Sequence, residues 1–116
     1  MLHISPEQMG RVAALRRSDQ LLELLRKAFP ATPPEDSPAL RQVLAQLVER
    51  CPGHALFQER DIGRFVCVAY QLGPDFDTRF PAAGAILADG SRPAEERLTL
   101  LECWSDAMLR ALDGAG

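Results

Sequence analysis

Apolar residues recur along this chain at helical spacing, and prolines and glycines cut the recurrence into separate runs. Met9, Val12, Leu15, Leu22, Leu25 and Phe29 mark one face of the first run, with Asp19 interrupting the stripe and Arg16-Arg17 widening the polar side. Ser5-Pro6-Glu7-Gln8 opens that run. It offers a capping hydroxyl, a proline where a missing N–H costs nothing, and a Gln that completes a capping box. Pro30 closes it, so the pattern predicts a helix over about 6–28.

A stiff connector, Ala31-Thr-Pro-Pro-Glu-Asp36, leads to a second cap-then-proline start at Ser37-Pro38. Leu40, Val43, Leu44, Leu47, Val48 and Cys51 then follow the cleanest helical pattern in the chain, and Pro52-Gly53 ends it. Leu56 and Phe57 are expected to tuck under the core before a third helix at 59–72. There Glu59 and Asp61 suit the positive end of the helix dipole, and Ile62, Phe65, Val66, Ala69 and Leu72 form the stripe. Val68 and Tyr70 lie off the stripe, so this helix is apolar over more than half its circumference and should be contacted on several sides. Gly73-Pro74 stops it. A short helix over 81–88 and a last one over about 93–112 complete the reading. Leu98, Leu101, Met108 and Leu112 carry the last stripe, with Trp104 or Ser105 filling the turn between. The chain is thus expected to be all-α, an irregular bundle of four long helices plus one short helix in a single domain over 1–116.

Composition agrees with that class. Leu and Ala dominate, β-branched and aromatic residues are sparse, and the 47% apolar and 25% charged shares are those of a globular chain. Residues 1–50 hold seven basic and six acidic groups, residues 51–116 six and ten. Neither half carries the dense positive field that phosphate neutralisation needs, which argues against nucleic acid as a partner. Three widely spaced cysteines without a C-x-x-C, a start with no leader pattern and no membrane-length apolar run point to a cytoplasmic protein.

Candidate chemistry is thin. Cys51 and His54 are ligand types three apart, yet zinc wants about four ligands and the other histidine is His3, so no metal is expected. A Cys51–His54 nucleophilic pair lacks an orienting Asn, since the chain has none. Cys67 on the central helix reads as packing. Glu35-Asp36 and Glu95-Glu96 read as solvated faces. No phosphate loop, nucleophile elbow, zincin motif or calcium loop occurs. No enzyme activity, catalytic residue or cofactor is therefore expected, and adhesion is left as the mode of action.

The stretch Leu72-Gly-Pro-Asp75-Phe76-Asp77-Thr-Arg79-Phe80 carries that idea. Phe76 and Phe80 either fold back to seal the core, or Phe76 stands out as an aromatic anchor ringed by Asp75, Asp77 and Arg79. Arg60 and Arg64, four apart, share a face beside it, and Tyr70 precedes it on the same helix. The expected contact set is Arg60, Arg64, Tyr70, Asp75, Phe76, Asp77 and Arg79.

Several motifs together resemble a family of small α-helical accessory proteins encoded beside type VI secretion effectors and their adaptor chaperones. They are the I-S-P-E-Q-M opening, Arg26 through Phe29-Pro30, E-R-D-I-G-R-F-V at 59–66, L-G-P-D-F-D-T at 72–78 and A-A-G-A-I-L-A-D at 82–89. The resemblance covers nearly the whole chain. It implies a co-chaperone-like adaptor that brings a secreted effector and its chaperone together before loading. Gly63 inside the third helix departs from the pattern, at up to about 1 kcal/mol relative to Ala. An immunity protein that neutralises a cognate toxin is the alternative, permitted by the excess of acids in 51–116.

Overall fold

A computed structural model describes the backbone of residues 6–115 and the side chains of residues 17–113. Every regular element among the described residues is helical. The long helices are α1 (Pro6–Ala28), α2 (Pro38–Arg50), α3 (Glu59–Leu72) and α6 (Ala94–Ala115). The short α5 (Pro81–Ala88) falls where the pattern puts it. Two elements were not anticipated: a 3-10 turn at Cys51–His54 and a one-turn helix, α4 (Phe76–Arg79). No described helix is long and apolar enough to cross a membrane. The chain divides into two compact units, one ending at Gln46 and one beginning at Leu47.

In the first unit, Ser18, Leu21, Leu22 and Leu25 are buried along the second half of α1. The expected Ser5–Gln8 capping box and the Met9, Val12 and Leu15 stripe positions lie outside the side chains described. Asp19, which breaks the apolar stripe, has a use: its carboxylate lies 2.7 Å from Arg41 Nη2. Arg41 also forks onto Asp36, donating from Nε at 2.7 Å and from Nη2 at 2.8 Å. That hydrogen bonding holds the Asp36 carboxyl below its usual range. Ser37 caps α2 as expected, its hydroxyl accepting the Leu40 N–H at 3.1 Å.

In the second unit, the 3-10 turn closes on Ala55 in the left-handed region, at φ 56°, and Leu56 N–H returns to Cys51 O at 2.9 Å. Leu56 is buried as expected, but Phe57 is 70% exposed. The backbone is extended before α3, with Gln58 in the β region, and successive side chains there point to opposite sides. Along α3, Ile62, Phe65, Val66 and Ala69 are buried, and so are Gly63 and Val68, as suits a helix contacted on several sides. Gly73 stops it at φ 111°, a conformation that a side chain resists, and donates to Ala69 O at 2.8 Å. On α6 the inward positions are Leu98, Leu101 and Ser105; Leu112 is exposed, so the stripe fades towards the C-terminal end. Helix α6 packs on α3 and on α5, and α5 packs on α4.

Candidate functional site

The α3–α4–α5 corner of the second unit holds most of the residues singled out from sequence, and it sorts them into two groups. Phe76 is completely buried, its ring centroid 5.3 Å from that of Phe65. It is a core residue, not the expected exposed anchor. The reason is local: Gly73 and Pro74 end α3 with a reversal, Phe76 N–H bonds Gly73 O at 3.2 Å, and the α4 turn swings the ring inward. Asp77 is also buried, with its side chain only 4% exposed. This corrects its expected place on the rim.

A buried carboxylate must be paired. His54 Nε2 lies 2.8 Å from Asp77 Oδ2, and Arg50, the last residue of α2, meets Asp77 Oδ1 and also donates to Pro74 O. The His54 ring lies 5.6 Å from Phe65, so imidazole, Phe65 and Phe76 form one aromatic column beside the charge pair. Burial, then Arg50 and Arg97, lower the His54 pKa. A neutral imidazole therefore donates its Nε2–H to the carboxylate. Arg97, 5% exposed, closes the knot from α6: its Nη1 donates at 2.7 Å to both His54 O and Leu87 O, and its Nε to Arg92 O at 3.2 Å. The sequence singled out neither Arg50 nor Arg97, and His54 only beside Cys51, because the bonds that build this knot mostly join residues 10 to 43 positions apart.

An imidazole oriented by a carboxylate is two-thirds of a nucleophilic triad. Here the second oxygen of Asp77 is taken by Arg50, and Cys51 is fully buried with its Sγ donating to Leu47 O at 3.3 Å. Among the described residues no group of three His, Cys, Asp or Glu could hold a metal. The arrangement suits a structural clamp.

On the outer side the same corner presents Asp75 and Arg79, side chains 58% and 60% exposed and 4.0 Å apart. Thr78 donates its hydroxyl to Asp75 O at 2.9 Å, and Arg79 lies 5.7 Å over the Phe80 ring, which meets Trp104 edge-on at 5.4 Å. Phe80 is thus half-buried, folded back as one of the two readings had it. Arg60 is exposed and 4.0 Å from Glu95. Arg64 does not share its freedom: Nη2 donates to Glu102 Oε1 at 2.5 Å and to Thr99 Oγ1 at 3.1 Å, and Nε to Glu102 Oε2 at 3.2 Å. It is a clamp between α3 and α6, corrected from a contact residue. Tyr70 is half-buried. Asp75, Arg79 and Arg60 are the exposed members of the expected set. No protein-family model, no curated protein and no solved structure matches this chain.

Proposed function

We propose that the protein is a non-enzymatic binding module that works in the cytoplasm as an accessory adaptor or co-chaperone, helping a type VI secretion effector and its adaptor chaperone come together for loading. The secretion role rests on the motif resemblance. The binding mode is supported by one observation, the clamped α4 turn. Its inner face is fixed by Phe76 and Asp77, while Asp75 and Arg79 stand outside on a backbone that has little freedom left. A surface organised before contact loses less entropy on binding. Charges of both signs at its edge set partner choice and orientation more than raw affinity.

Capture of interacting proteins from native cells with tagged protein tests this. The double variant Asp75→Arg, Arg79→Glu reverses the rim without touching the buried side, so it should fold normally and lose the effector or its chaperone. Full recovery by that variant removes the surface. Phe76→Ala is unsuitable, since it would hollow the core. Co-expression with the effector separates the immunity alternative: an immunity protein rescues the cell, whereas a loading factor leaves it poisoned and is required for export.

A further inference from the structure

Helices α3 and α6 leave between them a groove of about 290 Å³, lined by Cys67, Val68 and Gln71 from α3 and by Glu102, Ser105 and Asp106 from α6. Within each trio the residues lie within one helical turn, so each forms a short stripe facing the groove. Ser105 is the most buried of the six at 1% exposure, and its hydroxyl has no hydrogen-bond partner among the described residues. A helical serine commonly returns its hydroxyl to the carbonyl four residues back. Here that bond is not made, and a buried hydroxyl without a partner is unfavourable unless something entering the groove supplies one.

Charge narrows what enters. Glu102 and Asp106 sit one turn apart on the same face, an unfavourable pairing of like charges. Arg64 forks onto Glu102 and cancels one of them. Asp106 is exposed and has no ion pair among the described residues, so the groove keeps one uncompensated negative charge. Its apolar part is on α3: Val68 is buried, and burial followed by the Glu102 carboxylate pushes the Cys67 thiol up, keeping it neutral.

The geometry points to a receptor for a single arginine side chain of a partner protein. The methylene stem lies along Val68 and Cys67, the guanidinium meets Asp106, and its remaining N–H donors turn to the Gln71 amide oxygen and, once the groove side chains part around it, to the buried Ser105 hydroxyl. Three acceptors of different kinds, two from one turn of α6 and one from α3, suit the five-donor planar fork of arginine better than the compact ammonium of lysine. The volume sits at the bottom of the range for small-molecule pockets, roughly 300–1,000 Å³, which fits one side chain. That the arginine belongs to a partner rests on the binding-module reading; the existence of the receptor does not.

The test is a titration of isotope-labelled protein with N-acetyl-arginine amide, followed by NMR through the backbone amides. Saturable shifts confined to residues 67–71 and 102–106 are expected, with N-acetyl-lysine amide binding more weakly. Asp106→Asn, at an exposed position, should weaken the arginine probe about three- to fivefold, the worth of one partly exposed ion pair. Ser105→Ala should weaken it as well. Shifts scattered over the surface, equal binding of both amides, or a titration unchanged by Asp106→Asn would each overturn the receptor. The probe needs no partner, so failure here leaves the α4 surface standing. Full partner capture by the Asp75→Arg, Arg79→Glu variant removes that surface and leaves the groove.

Discussion

Replacing Asp77 with Ala tests the clamp on which the candidate surface depends. The carboxylate is 4% exposed and is shared between His54 Nε2 at 2.8 Å and the Arg50 guanidinium. Its removal leaves a hole below the α4 turn and two donors aimed at it. Removing one partner of a fully buried ion pair costs about 3–5 kcal/mol. Arg50 is 34% exposed and can swing partly into water, which brings the expected loss to roughly 2–3 kcal/mol, including about 1 kcal/mol for the neutral bond from His54. Asp77→Asn keeps the shape and an acceptor for His54 but removes the charge, so it should cost about half as much. Urea unfolding followed by circular dichroism reads both variants as a lower midpoint at unchanged slope. The cycle with Arg50→Met isolates the pair, and a coupling of about 1 kcal/mol or more is expected between contacting groups. If Asp77→Ala unfolds within about 0.5 kcal/mol of the parent, the range of an ordinary surface substitution, the carboxylate holds nothing and the preorganised corner goes with it.

Two further expectations probe the same region. Gly84→Ala would place a Cβ 2.8 Å from the Asp77 carbonyl oxygen, a backbone atom that cannot turn aside, so α5 must back away from α4. The overpacking, about 1–3 kcal/mol, should outweigh the gain in helix propensity and lower the thermal midpoint; an unchanged or raised midpoint would show that the close approach is not needed. His54 supplies the pH dependence. Burial, Arg50 and Arg97 hold its folded pKa below the ordinary 6.5, so in the window just under 6.5 the unfolded chain binds more protons than the folded one. Its contribution is therefore complete above pH 6.5 and is lost as the pH falls below it, until the folded imidazole protonates too. His54→Gln should flatten that slope and leave the loss at lower pH, where Asp36 and Asp89 titrate below 3.8 under the hydrogen bonds of Arg41 and Ser91. A slope that survives in His54→Gln would place its origin elsewhere.

What could be read from the chain was what neighbours decide. Helix α3 begins and ends at the expected 59 and 72 because acids at one end and Gly73-Pro74 at the other act within a turn of the residues they affect. Ser37 caps α2 for the same reason. The α4 corner was hidden for the opposite reason. Asp-Phe-Asp after a Gly-Pro looks like a solvated acidic loop, and nothing within it tells which Asp is buried. Asp77 is the buried one because Arg50 and His54 arrive from the other side of the 3-10 turn and α3, more than twenty residues earlier. Arg97 carries no signal within its own helix, because the carbonyl of His54 that it reaches lies 43 residues away. Arg64 shows the limit of face arguments. The four-residue spacing from Arg60 put both on one face of α3, but that face looks onto α6, where Glu102 takes Arg64.

The content of the buried knot bears on why the corner is built this way. Apolar side chains of similar volume at Arg50, His54 and Asp77 would hold α4 about as well, since buried ion pairs give little net stability over a packed core. Apolar packing tolerates sliding, whereas hydrogen bonds with fixed directions do not. Arg50 grips both Pro74 O and Asp77, the two sides of the turn that carries Asp75, and Arg97 ties His54 to the end of α5. Each bond fixes a position that sliding would otherwise blur. Outside that frame Arg79 lies 5.7 Å over Phe80 and 4.0 Å from Asp75, weak contacts that a partner's charges can replace at small cost. Strong directional bonds within and exchangeable ones without are the division that the proposed binding surface would need, one that keeps its shape before a partner arrives.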